Sequence, residues 1–149
     1  MIRSLAAGFF CWLALLVLAP LPASALEQQE RIDEFASDIT IGRDGTLDVR
    51  ETITVQAQGE QIRHGIFREF PTTYFDRQGK RHRVGFEVVS VTRNGAAEPY
   101  ALETIANGKR VRIGREDVTV TPGRQVYVIA YRTDRQIGFF DTHDELYGM

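Results

Sequence analysis

The stretch Thr46-Leu47-Asp48-Val49-Arg50-Glu51-Thr52-Ile53-Thr54-Val55-Gln56 decides the fold. Apolar residues fall on one face at Leu47, Val49, Ile53 and Val55, and polar residues occupy the positions between them. This period of two predicts a half-buried β-strand. A similar run over about 32–41 precedes it across Gly42-Arg43-Asp44-Gly45, and Asp-Gly between two such runs predicts a β-hairpin.

Further strand-like runs follow along the chain. They cover 84–93, 100–106, 109–113, 118–121 and 125–133, separated by Asn94-Gly95, Asn107-Gly108 and Pro122-Gly123. The last run is apolar on both faces, which predicts a central strand covered on both sides. The one long segment without a clear pattern is Gly59 to Arg83. We therefore predict an all-β fold, an Ig-like antiparallel β-sandwich of about seven strands, with a small β-barrel as the alternative.

Composition limits the classes of protein. The chain has 149 residues, 43% of them hydrophobic and 26% charged, which fits one globular domain. The net charge of -2 argues against a nucleic-acid-binding module, which carries a basic excess. The single cysteine excludes a disulfide scaffold.

The first 25 residues have the layout of a secretory signal peptide. Arg3 precedes an apolar run from Leu5 to Ala19, and the small residues Ala23-Ser24-Ala25 follow. We expect cleavage between Ala25 and Leu26, which leaves 26–149 as one domain at the periplasmic or extracytoplasmic face of the membrane. An uncleaved anchor helix is the alternative, although the run is shorter than the ~20 residues that span a bilayer.

Glu51 interrupts the apolar row of the first stretch, so its carboxylate is expected to point into the core. A buried carboxylate needs a partner, and Arg68 is the candidate because a guanidinium grips a carboxylate through two hydrogen bonds. The alternatives are a functional carboxylate with a shifted pKa and a β-bulge that turns Glu51 outward.

The long segment is basic and contains aromatic residues, which is typical of a loop that contacts a protein or an anionic envelope surface. The candidate contact residues are Arg63, His64, Arg68, Arg77, Lys80, Arg81 and Arg83. The alternative is a solvated polar hairpin tip. The acidic tail, with Asp141, His143, Asp144 and Glu145, is interpreted as a solvent-exposed end rather than a metal site.

No catalytic motif is recognised: neither Ser37 nor Ser90 lies in a Gly-x-Ser-x-Gly elbow, and there is no phosphate-binding glycine loop. We therefore expect a non-enzymatic interaction module without a cofactor. The alternatives are an envelope hydrolase that acts on a saccharide through carboxylates, and a structural spacer.

Four local patterns occur in order along the chain: 44–51 (DGTLDVRE), 64–68 (HGIFR), 127–131 (YVIAY) and 144–147 (DELY). With the signal peptide, they resemble the N-terminal extracytoplasmic domain of a family of predicted bacterial membrane proteins, domain of unknown function 2207. The resemblance implies a β-rich domain outside the membrane, followed by transmembrane helices. Gly148 and Met149 follow Tyr147 where the family has tryptophan and asparagine, so we expect either a fragment that ends before the membrane segment or the product of a shortened gene without that anchor.

Overall fold

The computed structural model describes residues 29–75, 78–139 and 141–146, and every regular element in these ranges is a β-strand. The strands are β1 (Arg31–Ile41), β2 (Leu47–Ala57), β3 (Gly65–Pro71), β4 (Thr73–Phe75), β5 (Arg81–Arg83), β6 (Phe86–Arg93), β7 (Ala96–Ala97), β8 (Tyr100–Ile105), β9 (Gly108–Gly114), β10 (Gly123–Thr133), β11 (Ile137–Phe139) and β12 (Asp144–Leu146). The prediction of an all-β fold is confirmed, although the described residues form twelve strands rather than about seven. The signal peptide, with its cleavage site at Ala25 and Leu26, lies outside the described residues.

The larger sheet has the order β1-β2-β10-β6-β7, with every neighbouring pair antiparallel. Strand β2 pairs with β10 along its whole length, and Ile53 lies opposite Tyr127. Alternation turns one row of each strand into the core, so Leu47, Val49 and Ile53 of β2 are buried. The central position predicted for β10 is correct, but its second face is only half-buried because no layer covers it fully.

A smaller sheet of order β3-β9-β8 packs over the inner face of the larger one. The core combines Tyr127, Ile129 and Tyr131 of the first sheet with Phe70, Val111 and Ile113 of the second, among others. The rings of Phe70, Phe86 and Tyr131 pack together with centroids 4.5 to 5.2 Å apart. Among the described strands, each of these two sheets ends in edge strands that pair on one side only, so the arrangement is a sandwich and the small-barrel alternative is wrong.

Glycines set the close approach of β3 to β9 at both ends of the pair. A Cβ on Gly108 would collide with the carbonyl oxygen of Phe70, and one on Gly65 with that of Ile113. Gly65 also has a φ of 132°, which side chains of L residues rarely allow. The turn of the β8–β9 hairpin is Ala106-Asn107, one residue earlier than expected, because Gly108 already pairs with Ile105.

Two further expectations from the sequence are wrong. The segment from Gly59 to Arg83 is not one irregular loop, because it contains β3, β4 and β5. Residues 118–121 do not form a strand. Val120 is nevertheless buried, and its N–H donates to the carbonyl of Arg63 at 2.8 Å. The loop that carries it covers one end of the core, which explains its apolar side chain.

Candidate functional site

The structure brings Glu51 and Arg68 together across the two sheets. Glu51 lies on β2 and is 1% exposed, and Arg68 reaches it from β3. Arg68 Nε donates to Glu51 Oε2 at 2.9 Å, and Nη2 donates to Oε1 at 3.1 Å. Strand β2 keeps its register at Glu51, so there is no bulge that turns the side chain outward. The carboxylate points inward and accepts a hydrogen bond from each of two guanidinium nitrogens.

Tyr131 completes this buried cluster. Its hydroxyl donates to Glu51 Oε1 at 3.0 Å. Burial and the neighbouring Glu51 charge raise the pKa of Tyr131, which keeps the hydroxyl protonated and able to donate. Both carboxylate oxygens of Glu51 thus accept hydrogen bonds from donors on β3 and β10. The cluster connects the two sheets through polar contacts.

The remaining surroundings of Arg68 are aromatic. Its guanidinium carbon lies 4.9 Å from the ring centroid of Phe70 and 5.5 Å from that of Phe35. Its Nη1 also donates to the carbonyl of Glu69 at 2.8 Å. The charge is therefore held between two rings as well as against its carboxylate. This environment favours a structural role for Arg68 over contact with a ligand.

The candidate contact residues do not form one loop. Arg63 and His64 precede β3, whereas Lys80, Arg81 and Arg83 follow its far end, and β3 separates the two groups. His64 Nδ1 lies 3.0 Å from the carbonyl oxygen of Val118, so it closes the loop there. Arg77 lies outside the described residues.

A hairpin formed by β4 and β5 carries the second group. Phe75 pairs with Arg81 and Thr73 with Arg83, so these side chains share one face. Phe75 is 69% exposed, and both arginines are exposed. Neither arginine forms an ion pair with another residue that the structure describes. We call Phe75, Arg81 and Arg83 the hairpin face.

The segment after β10 lies against this hairpin. Arg135 donates to the carbonyl of Arg83 at 3.3 Å, and the Asp134 carboxylate accepts from Gly85 N–H at 2.6 Å. The hydroxyl of Thr133 donates to the Gly85 carbonyl at 2.7 Å. The hairpin is thus fixed at the end of the sandwich where β10 finishes, and Arg135 adds a third cation there.

A groove of about 430 Å³ lies at the opposite end of β3, beside Arg63 and His64. Its other cations are compensated, because Arg112 pairs with Glu116 at 3.2 Å and Arg115 with Asp117 at 2.5 Å. The lining of the groove therefore contains both acidic and basic side chains, among them Glu60 and Glu116 as well as Arg63 and Arg112.

Glu30 makes a contact that sequence reasoning missed. Its carboxylate accepts hydrogen bonds from the backbone N–H groups of Gln58, Glu60, Gln61 and Ile62 at 2.7 to 3.1 Å. Desolvation opposes ionisation, but the four donors together lower the pKa of Glu30 to about 2. The contact ties the start of β1 to the loop after β2. Its partners are backbone groups, and only Gly59, with a φ of 83°, hints at the loop shape.

Over the ranges that the structure covers, no three His, Cys, Asp or Glu side chains are grouped to hold a metal ion. In the acidic tail, His143 Nε2 lies 3.1 Å from Glu145 Oε1, while Asp141 and Asp144 are exposed. The described residues contain no helix that is long and apolar enough to cross a membrane.

Residues 31–148 match the sequence model of a protein family, domain of unknown function 2207. That model describes the N-terminal domain of predicted membrane proteins. The uncharacterized protein YciQ of Escherichia coli (strain K12) is 31% identical over 104 residues, covering 70% of this chain and 16% of YciQ. The chain thus spans about a sixth of the length of that relative, and no solved structure matches it. The chain belongs to the family of predicted membrane proteins defined by domain of unknown function 2207, of which it carries the N-terminal domain.

Proposed function

We propose that this chain is the extracytoplasmic domain of a membrane protein and works as a non-enzymatic interaction module that rests on an anionic membrane surface. The observation that carries the proposal is the hairpin face. There an exposed aromatic ring stands beside two arginines that lack an ion-pair partner among the described residues. Phenylalanine side chains bury at the boundary between the headgroups and the acyl chains of a bilayer, and arginines are attracted to the surface of anionic lipids.

Charge compensation elsewhere supports this choice of surface. Arg110 lies over the exposed ring of Phe67 at 5.1 Å, which resembles the hairpin face in composition. There, however, the arginine is paired with Glu69 at 2.5 Å. Arg132 on the outer face of β10 is likewise paired with Asp48 at 3.0 Å. The hairpin face therefore combines an exposed ring with two arginines that form no ion pair within the described part of the chain.

The position of the hairpin also supports the proposal. In this family the matched region is the N-terminal domain of a membrane protein, so the remaining chain follows its C-terminal side. Strand β10 ends at Thr133, beside the base of the hairpin, and the chain continues from there through β11 and β12. A domain that meets the membrane at this end would present Phe75, Arg81 and Arg83 to the lipid headgroups.

The alternative functions make different demands on Glu51. A hydrolase acting through this carboxylate would need it open to a substrate, with one oxygen free. Burial of Glu51 and its occupation by Arg68 and Tyr131 favour the interaction module. A structural spacer would need no affinity for the membrane, and the following experiment separates it from the module.

Binding to vesicles of neutral phosphatidylcholine is compared with binding to vesicles that also contain anionic phosphatidylglycerol. We expect the protein to prefer the anionic vesicles and salt to weaken the binding. Since each basic residue near such a surface contributes about 1 kcal/mol, the double variant Arg81→Gln/Arg83→Gln should lose about 30-fold in affinity.

The matched control is Arg124→Gln. Arg124 is exposed and lies at the opposite end of β10, where it pairs in register with Gln56. This variant should bind as tightly as the parent protein. Equal binding to both vesicle types, or equal losses of affinity in the control and the double variant, would contradict the proposal. The structural spacer would then be the remaining alternative.

Export is tested separately from lipid binding. We expect the protein recovered from the envelope of the producing cell to begin at Leu26 in N-terminal sequencing. Protein that begins at Met1 would contradict cleavage and support the anchor helix.

A further inference from the structure

Strand β1 is an 11-residue edge strand with nearly all of its side chains exposed. It pairs with β2 on one side only, and no other described strand adjoins its second side. Its apolar row is 37 to 64% exposed and consists of Ile32, Phe35, Ile39 and Ile41. A long edge strand with an apolar row offers unpaired backbone groups to another strand.

The apolar row of β1 continues the core row of β2. Phe35 lies opposite Ile53, and Ile39 lies opposite Val49, so these side chains share the inner face of the larger sheet. The β2 residues are buried, whereas those of β1 stay 37 to 64% exposed even though the Arg68 guanidinium of β3 lies over the Phe35 ring. The apolar row of β1 therefore has the composition of a core row, but no described strand pairs with β1 on the side away from β2.

We propose that a second copy of this chain pairs with β1, antiparallel about a two-fold axis through Ser37, to form one continuous ten-stranded sheet. A two-fold axis perpendicular to the sheet keeps the inner face of each copy on the same side. Residues of the inner row then face residues of the inner row. In this register the opposing pairs are Phe35 with Ile39, Glu34 with Thr40, and Ala36 with Asp38.

Charge selects this register over its two neighbours. An axis through Ala36 would place Glu34 directly opposite Asp38 twice, and an axis through Asp38 would place the two Asp38 carboxylates opposite each other. Like charges that oppose each other across strands are destabilising. The register about Ser37 avoids both clashes and sets aromatic against aliphatic side chains.

Disulfide cross-linking tests the register. The Cys11→Ser background removes the one cysteine of the chain, and Ser37→Cys then places a thiol on the axis. Directly opposed residues have Cα atoms about 4.5 to 5.5 Å apart, which a disulfide can bridge. In the control Ala36→Cys the two Cα atoms lie roughly 8 Å apart, beyond the usual limit.

Mild oxidation should convert the Ser37→Cys protein to a covalent dimer about ten-fold faster than the Ala36→Cys protein. Asp38→Cys, which would lie on the axis of a neighbouring register, should also react slowly. Faster cross-linking at position 36 or 38, or equal rates at all three, would overturn the proposed register.

Association without a cross-link is measured by sedimentation of the full chain. We expect a concentration-dependent dimer that Ile39→Lys abolishes, because the lysine would face the apolar row of the other copy. Val89→Lys is the control: Val89 is 59% exposed but lies on β6. A monomer at all concentrations, or equal effects of the two lysines, would overturn the proposal. This inference depends on β1 and not on the hairpin face, so either can fail alone.

Discussion

Removal of Arg68 should destabilise the fold far more than removal of an exposed arginine. Arg68→Met leaves the Glu51 carboxylate, 1% exposed, with the Tyr131 hydroxyl as its remaining donor from the cluster. The side chain of Arg68 itself is 25% exposed, so the pair is only weakly screened by solvent. Breaking a buried ion pair in this way costs about 3–5 kcal/mol, a large share of the stability of a small domain.

Urea unfolding followed by circular dichroism measures the loss, and a second substitution shows its origin. Glu51→Gln removes the charge but keeps an oxygen that accepts from Tyr131. Glu51→Gln/Arg68→Met should therefore be more stable than Arg68→Met alone, with a coupling of about 1–3 kcal/mol. If Arg68→Met does not fold, Arg68→Lys keeps a charge without the two-armed grip and should be intermediate.

Arg132→Met is the matched control for this cycle. Arg132 pairs with Asp48 on the outer face of β10 and β2, and both side chains are more than half exposed. Its loss should cost about 0–1 kcal/mol. Costs of Glu51→Gln and Arg68→Met that simply add, or a control as costly as Arg68→Met, would refute the reasoning.

Three further predictions concern the core and the start of β1. Tyr131→Phe should cost about 1.5–3 kcal/mol because it removes a buried charge-assisted hydrogen bond, whereas Tyr127→Phe should cost nothing, since its hydroxyl has no partner among the described residues; equal costs in urea unfolding would contradict this. Gly108→Ala should cost about 1–3 kcal/mol, because its Cβ would push β9 away from the carbonyl of Phe70, and an unchanged melting temperature would disagree. The pKa of Glu30 is lowered from 4.5 to about 2, so its carboxylate stabilises the fold above pH 4.5 and this stabilisation is lost as the pH falls toward 2. The melting temperatures of the parent protein and Glu30→Gln should therefore differ at neutral pH and converge across that window, and a constant difference would contradict the assignment.

The strand pattern of the sequence predicts four of the five strands of the larger sheet, namely β1, β2, β6 and β10, and misses the two-residue β7. Strand β2 alternates so regularly that Glu51 stood out, and the chemistry of a buried carboxylate indicated an arginine as its partner. Strand β3 was missed because its inward row reads Ile66, Arg68 and Phe70, and the arginine breaks the apolar alternation. Arg68, the partner of Glu51, thus made β3 difficult to recognise from the sequence.

Other features depend on tertiary contacts that no local pattern encodes. Val120 lies in a loop but is buried. The apolar residues of 118–121 therefore gave a pattern like that of a strand. The hairpin of β4 and β5 is too short for a period to be recognised. Its basic composition was visible, but only the pairing of Phe75 with Arg81 shows that ring and charge share a face.

Fluorescence of a tryptophan placed in the hairpin face tests the membrane contact most directly. In a Trp12→Phe background, which removes the one tryptophan of the chain, Phe75→Trp is compared with Phe67→Trp. The two phenylalanines are 69% and 64% exposed, but the arginine beside Phe67 is neutralised by Glu69. With anionic vesicles, tryptophan at position 75 should shift its emission to the blue and be quenched by brominated lipid, while tryptophan at position 67 stays unchanged. No shift at position 75, or equal shifts at both positions, would contradict the account.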